Sequence, residues 1–331
     1  MHKLIGVLLI AGSFTLGWIL IDLQEYMRSP LPGIEQPVHY TVEPGASLIG
    51  VANDLRRRGI VEHPAYLVWY ARWEGGADHI KAGDYILSPG LTPLRLLEQL
   101  GSGEVVQYSI TIPEGWTFRQ LMAELGRQEK LKHELRGLED EAIMALLGLP
   151  GQHPEGLFYP DTYKFSEGTP DIAILRQAHE AMTRRLEDEW RQRAPGLPYE
   201  SPYEALIMAS IIEKETALPE ERQRIAGVFV RRLQKNMRLQ TDPTVIYGMG
   251  EAFDGNIRRR DLKAPTPYNT YVIKGLPPTP IALPGGASIH AALHPAPGDE
   301  LYFVARGDGS HQFSATFEEH NAAVRKYQLK R

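Results

Sequence analysis

The chain has no cysteine, which excludes disulfide frameworks, thiolate metal sites, a cysteine nucleophile and a lipid-modified N-terminal cysteine. It also lacks a strong excess of either charge, because 36 Lys and Arg stand against 41 Asp and Glu. Without a global basic field, nucleic acid is not indicated as a partner. With 331 residues, 43% of them hydrophobic, the chain is long enough for two or three folded units with cores of their own.

Several catalytic motifs are missing as well. The sequence has no Gly-x-Ser-x-Gly, no phosphate-binding Gly-Lys loop and no dinucleotide fingerprint. His290 and His294 are spaced like two zinc ligands on a helix, but the Glu of a His-Glu-x-x-His motif is absent and Pro295 follows directly. We therefore expect no metal and no cofactor.

The N-terminus contains a long uncharged run. Leu4 to Ile21 carry no charge, and about 18 helical residues at roughly 1.5 Å each approach the thickness of a bilayer core. No small-x-small cleavage site follows, which favours an uncleaved anchor over a signal peptide. The pattern predicts residues 1–3 in the cytoplasm, a transmembrane anchor at 4–23 and a Pro- and Gly-rich stalk at 24–37, with the rest of the chain extracytoplasmic.

A weak repeat follows the stalk. Three times a short β-type run leads into a Pro-containing turn and a capped amphipathic helix, beginning near residues 39, 84 and 109. The segment Tyr40 to Leu48 resembles the start of a LysM domain, which implies a strand, helix, helix, strand unit whose usual ligand is cell-wall glycan. We predict domains at 38–106 (LysM-like), 107–150 (a connecting β-α unit) and 151–331, within an overall α+β class.

The most informative stretch is Ser201 to Thr216. Ser201 can cap a helix, Pro202 suits its first turn, and Glu204 completes a capping box. Glu213 follows Leu206 and Ala209 on the apolar side of that helix, where a carboxyl group is partly desolvated. Desolvation raises the pKa of a carboxyl group, as the acid of a glycosidase requires, although a solvated helix-end carboxylate would fit the same spacing. Glu215 should point to another side of the helix and is interpreted as structural.

Five segments carry a family resemblance. They are Ala-Ser-Ile-Ile-Glu-Lys-Glu-Thr-Ala at 209–217, Pro-Glu-Gly-Trp-Thr at 113–117, Glu-Gly-Leu-Phe-Tyr-Pro-Asp-Thr-Tyr at 155–163, Leu-Gln-Thr-Asp-Pro-Thr-Val-Ile-Tyr-Gly at 239–248 and Tyr-Asn-Thr-Tyr-Val-Ile at 268–273. Together they resemble the MltG (YceG-like) family of endolytic murein transglycosylases. The resemblance implies cleavage of the MurNAc-GlcNAc bond within nascent peptidoglycan strands, which leaves 1,6-anhydro ends and limits strand length. It also implies that Glu213 is the general acid and then the base, and that penicillin-binding synthases are natural neighbours.

The Pro-, Gly- and Tyr-rich segment 240–284 is predicted to be a long functional loop. Asn269 and Tyr247 rank highest for sugar binding, because a carboxamide and a phenol can bond hydroxyl and acetamido groups. An Asp-Pro turn would also explain Asp242 without any chemistry. The full set of predicted substrate-binding residues is Gln240, Asp242, Tyr247, Asn269, Thr270 and Tyr271, with Tyr159 from the aromatic segment 155–163.

Two other functions remain open from the sequence. One is a membrane-anchored wall-binding module without catalysis. The other is a glycan hydrolase, which needs a second carboxylate beside the scissile bond. Its candidates are Asp161, Asp242 and Asp254.

Overall fold

The computed structural model describes residues 2–43, 45–75 and 80–329, with the side chains of 2–9 left out. The fold is mixed α+β, as predicted, with helices joined by small two-stranded sheets. It divides into two compact units, Met1–Tyr108 with Lys164–Thr169 and Ser109–Tyr163 with Pro170–Arg331. The predicted domain boundary at residue 150 therefore lies inside the second unit.

The first unit contains helices and one antiparallel strand pair. Its elements are α1 (His2–Arg28), β1 (Val38–Val42), α2 (Leu48–Arg57), α3 (Pro64–Trp73), β2 (Gly83–Leu87) and α4 (Pro93–Ser102). The two strands pair from Val38 opposite Leu87 to Val42 opposite Gly83. The strand, helix, helix, strand order predicted for 38–88 is thus present, while the likeness to LysM domains stays a prediction.

The N-terminal segment differs from the predicted stalk. Helix α1 continues to Arg28, and Leu31 and Ile34 are buried in the core of the first unit. Prolines and glycines end a helix, but they do not keep neighbouring apolar side chains out of a core. Of the anchor predicted at 4–23, residues 4–9 lie outside the described side chains, as does the predicted cytoplasmic segment 1–3. Among the residues that were described, none of the helices combines the length and apolarity needed to cross a membrane.

The second unit is built around one buried helix. Its helices are α5 (Phe118–Leu125), α6 (Asp140–Leu146), α7 (Asp171–Arg191), α8 (Pro202–Glu215), α9 (Pro219–Gln234), α10 (Asp242–Met249), α11 (Gly286–Leu293) and α12 (Phe317–Tyr327). Helix α8 buries every residue from Ala205 to Ile212 and packs against α7, α9, α10 and α11. Such all-round burial places α8 at the centre of the unit.

The strands of this part of the chain form two further pairs. They are β3 (Tyr108–Thr111) with β4 (Thr162–Phe165), and β5 (Tyr302–Ala305) with β6 (His311–Ser314). The second pair is an antiparallel hairpin in which Tyr302 lies opposite Ser314. The β-type runs on either side of the Gly307-Asp308-Gly309 turn predict such a hairpin from the sequence, and helix α12 follows it.

Segment 240–284 is less irregular than predicted. It contains α10 and two short 3-10 turns, Gly250–Ala252 and Asp261–Lys263. The Asp242-Pro243 pair opens α10 rather than a turn. Pro is favoured in the first turn of a helix, where its missing N–H costs nothing, and an acidic residue there complements the helix dipole.

Candidate active site

Helix α8 brings two carboxyl groups to its C-terminal turn. Ser201 caps the helix by accepting the N–H of Glu204, and the regular turns that follow fix the directions of Glu213 and Glu215. Residues two apart on a helix point to different sides. The two side chains therefore have separate environments, although their backbones are neighbours.

Glu213 faces the start of α11. Its Oε2 accepts the backbone N–H of Gly285 at 3.0 Å, and its Oε1 lies 3.9 Å from Nη2 of Arg222. The side chain is 7% exposed, so the predicted partial desolvation is present. The N–H at a helix start and the guanidinium both stabilise a negative charge.

A second carboxylate shares this arginine. Oε2 of Glu114 also lies 3.9 Å from Nη2 of Arg222. Burial raises the pKa of Glu114, and the negative charge of Glu213 raises it further. Lys214 donates to the carbonyl of Gly115 at 3.1 Å, which holds the segment with Glu114 against α8. The surroundings of Glu213 are thus a network of charges.

Glu215 faces the other side of α8. Its Oε2 accepts the hydroxyl of Thr241 at 2.9 Å. Burial raises the pKa of Glu215 to about 7, and the nearby charge of Asp242 raises it as well, while the Thr241 bond and Arg232 act in the opposite direction. A carboxyl with this pKa can hold a proton near neutral pH and release it again.

Glu215 lines a pocket of about 440 Å³. Gln240, Asp242 and Tyr271, all predicted to bind substrate, line the same pocket, and Glu213 is not among its lining residues in the described part of the chain. The hydroxyl of Tyr271 donates to Oδ1 of Asp242 at 2.6 Å. Three of the predicted binding residues therefore surround Glu215.

Aromatic side chains from β5 and α12 also line this pocket. Tyr302 stacks on His320 at a centroid distance of 5.2 Å, and Phe317 is exposed beside them. Within the described residues, the buried Nδ1 of His320 has no hydrogen-bond partner. A pocket lined by aromatic rings together with carboxylate, amide and imidazole groups suits a ligand that is apolar on its faces and polar on its edges, as a pyranose ring is.

Two other predicted binding residues are buried parts of the framework. Thr270 accepts the N–H of Thr241 at 3.0 Å and bonds to the hydroxyl of Thr244 at 2.9 Å. Asn269 donates to the carbonyls of Asp261 and Ala264, and its Oδ1 accepts the N–H of Tyr271. Both side chains are fully buried. Their observed contacts position the loop that carries Tyr271.

Tyr247 and Tyr159 lie in other places. The hydroxyl of Tyr247 donates to Oε2 of Glu155 at 3.1 Å, and Oε1 of Glu155 accepts the N–H of Phe118 at 2.9 Å. Burial raises the pKa of Glu155 to about 7. The hydroxyl of Tyr159 packs closely against Gly286, since a Cβ atom added to that glycine would lie 2.7 Å from the hydroxyl oxygen. These two tyrosines are not among the residues that line the Glu215 pocket.

Four residues of these surroundings were not predicted from the sequence. One is Glu215, which was interpreted as structural, although burial raises its pKa and its side chain lines the pocket. Arg232, Glu114 and Glu155 were not singled out, because their partners are distant in sequence. Glu114 and Glu155 do lie inside segments 113–117 and 155–163, so those segments were the available signal.

The chain is similar to several known proteins. The model of the YceG-like family matches residues 40–326. A Bacillus subtilis protein named endolytic murein transglycosylase is 32% identical over 97% of this chain and 91% of its own length. A Streptococcus pneumoniae protein of the same name is 29% identical over 86% of this chain and 57% of its own length. The crystal structure of a putative YceG-like protein from Listeria monocytogenes has a TM-score of 0.56, 32% identity, and covers 87% of this chain and 99% of its own.

Proposed function

This chain belongs to the YceG-like family and is a lytic transglycosylase, and we propose that it cleaves the β-1,4 bond between MurNAc and GlcNAc inside peptidoglycan strands. The names of its relatives support murein as the substrate. The observation that carries the proposal is the Glu215 carboxyl, with a pKa of about 7, in the pocket that Gln240, Asp242 and Tyr271 also line.

The reaction needs one carboxyl group that acts twice. Protonated Glu215 gives its proton to the glycosidic oxygen as the C1–O bond breaks. The C6 hydroxyl of the same MurNAc then attacks C1 and closes the 1,6-anhydro ring. Its proton passes to the Glu215 carboxylate, which restores the acid without consuming water.

The choice between the two carboxyl groups of α8 rests on their surroundings. Glu213 is the prediction from the family resemblance, and its carboxylate oxygens contact the N–H of Gly285 and lie near Arg222. Glu215 has the raised pKa and the pocket. We therefore assign the acid and base roles to Glu215, and to Glu213 the role of holding α11 and segment 113–117 in place.

Mass spectrometry of fragments released from purified peptidoglycan tests this assignment. We expect fragments ending in 1,6-anhydro-MurNAc from the native chain and from Glu213→Gln, and none from Glu215→Gln. Loss of activity in Glu213→Gln with retention in Glu215→Gln would reverse the assignment. Reducing ends in place of anhydro ends would favour a hydrolase, with Asp242 as the second carboxylate because it lines the same pocket.

The cellular setting is part of the proposal. Apolar side chains of α1 are exposed, with Phe14 at 76%, and Trp69 and Trp73 of α3 line one surface pocket with Leu16 and Leu20. Exposed apolar and Trp side chains together support an anchor at 4–23 whose outer end lies at a membrane interface. In that setting the second unit would act on nascent strands outside the membrane, beside penicillin-binding synthases, and set the length of the strands.

Membrane fractionation tests the anchor. The full chain should pellet with membranes and resist extraction by high salt, whereas a chain beginning at Gln24 should not. Recovery of the full chain in the soluble fraction would contradict the anchor without bearing on the reaction. A separate proposal is that the first unit, with its LysM-like order of strands and helices, binds glycan. Co-sedimentation of this protein with purified peptidoglycan tests it.

A further inference from the structure

Three metal-ligating side chains meet where α7 and α11 end. Nδ1 of His290 lies 2.9 Å from Oε2 of Glu189, and Nδ1 of His294 lies 3.7 Å from the same oxygen. All three ligand atoms are within 4.8 Å of one another. The cluster belongs to the second unit and shares no residue with the Glu215 pocket.

The spacing of the atoms fits a metal ion. Zinc is held by imidazole nitrogen and carboxylate oxygen at about 2.0–2.2 Å, and a tetrahedral site with such bonds puts its ligand atoms roughly 3.4 Å apart. The two distances to Oε2 of Glu189 are 2.9 and 3.7 Å. The rings of His290 and His294 are stacked, with centroids 4.2 Å apart and planes 17° apart, so binding one ion through both Nδ1 atoms requires the rings to turn out of this stack.

The neighbours of the cluster orient its ligands. Nε2 of His294 lies 2.8 Å from the carbonyl of Gln192, so the N–H at Nε2 donates there. Nδ1 of His294 lies 3.2 Å from the carbonyl of His290, and a metal ion bound at Nδ1 would replace that contact. Arg185 pairs with the other oxygen of Glu189 at 2.7 Å and so directs Oε2 toward the histidines. Metal-binding histidines and carboxylates usually have outer partners of this kind, which fix the tautomer and the direction of the ligand atom.

The cluster also has an entry path. The side chain of His290 is 46% exposed, and that of Glu189 is 13% exposed. One side of the group thus faces solvent, where water can complete the coordination. Two imidazoles and one carboxylate are a ligand set typical of zinc and of neighbouring divalent transition metals.

We propose that Glu189, His290 and His294 bind one divalent transition-metal ion, with zinc as the best match, and that the ion ties the end of α7 to the end of α11. The sequence alone predicted no metal here, because the Glu of a His-Glu-x-x-His motif is absent and Pro295 follows His294 directly. Glu189 supplies a third ligand from a helix about 100 residues earlier in the chain.

Calorimetric titration with zinc chloride tests the site. The full chain is purified without a histidine tag and treated with a chelator, and the absorption of added Co²⁺ reports the coordination. We expect saturable binding of one zinc ion per chain. His290→Ala and Glu189→Gln should each weaken it by about tenfold or more.

A matched control is available in His133, whose Nδ1 lies 3.9 Å from a carboxylate oxygen of Asp171 elsewhere in the same unit. His133→Ala should bind zinc as the native chain does. Thermal unfolding without metal verifies that each variant is folded, and the exposed position of His290 makes its removal mild. Absence of saturable binding in the native chain, unchanged binding in His290→Ala and Glu189→Gln, or an equal loss in His133→Ala would each overturn the proposal.

Discussion

The proposed acid makes a sharp prediction for the pH dependence of the reaction. The pKa of Glu215 is raised to about 7, mainly by burial. The first chemical step needs the protonated form, so the rate should fall as pH rises through about 7, by tenfold for each further unit. The pH dependence of kcat/KM reports the pKa values of the free enzyme. The measurement therefore uses initial rates of fragment release at low peptidoglycan concentration between pH 5 and pH 9.

The fall in rate above pH 7 is the alkaline limb of the pH profile, and replacing Thr241 by Val should move this limb. Thr241 donates its hydroxyl to Oε2 of Glu215 at 2.9 Å and thereby lowers the pKa of that carboxyl. A hydrogen bond to a charged group contributes about 1.5–3 kcal/mol, and one pKa unit corresponds to about 1.4 kcal/mol. Loss of the bond should raise the pKa by about 1 to 2 units, so the limb should move to higher pH by the same amount.

Thr244→Val is the matched control. Thr244 is equally buried and bonds to the carbonyl of Thr241 at 2.8 Å and to the hydroxyl of Thr270, with no bond of its own to Glu215 among the described contacts. Its removal should loosen the same threonine cluster without shifting the limb. A native limb far from neutral pH, an unmoved limb in Thr241→Val, or equal shifts in the two variants would refute Glu215 as the acid.

Three further predictions concern stability and are checked by urea unfolding. Glu155→Gln should flatten the pH dependence of the free energy of unfolding. Burial raises the pKa of Glu155 from 4.5 to about 7. The stability that the protonated group contributes at pH 4 and below is therefore lost as pH rises through 7, by about 3 kcal/mol. Glu213→Ala should cost about 1–3 kcal/mol by leaving a buried backbone N–H without its acceptor, whereas Glu213→Gln keeps an acceptor and should cost less. Gly33→Ala should destabilise the first unit by about 1–3 kcal/mol, since its Cβ would lie 2.1 Å from the carbonyl oxygen of Gly59, while Gly101→Ala has open space in α4 and should stabilise slightly.

Much of the fold could be predicted because its signals are local. The capping residue of α8, the strand, turn and helix repeats, and the C-terminal hairpin all depend on neighbouring residues, and each is present in the structure. Helix α10 was missed because Asp-Pro begins both turns and helices, and only the packing of α10 against α8 separates the two. Burial of Leu31 and Ile34 was missed for a similar reason, since composition does not reveal what a segment packs against.

The candidate site was predictable in its composition but not in its arrangement. The sequence identified α8 and the 240–284 segment as the sources of the functional groups, and Gln240, Asp242 and Tyr271 do share one pocket. It could not tell which side of α8 this pocket would occupy. That depends on Thr241 and Arg232 reaching Glu215 from elements about 20 to 30 residues away in sequence.

The two carboxyl groups of α8 show that helical spacing predicts burial but not the polar partners of a side chain. Apolar neighbours along a helix face predict burial, and Glu213 is indeed the side chain that is 7% exposed. The partners of its oxygens are the N–H of Gly285 and the guanidinium of Arg222, and neither follows from the apolar spacing of the helix. Glu215 has a single hydroxyl donor and a neighbouring Asp242, which leaves desolvation as the dominant influence on its pKa. Under the proposed assignment, the proton donor of this helix is the carboxyl group whose desolvation outweighs the Thr241 bond and the charge of Arg232, and only the folded arrangement of α8, α9 and α10 brings these groups together.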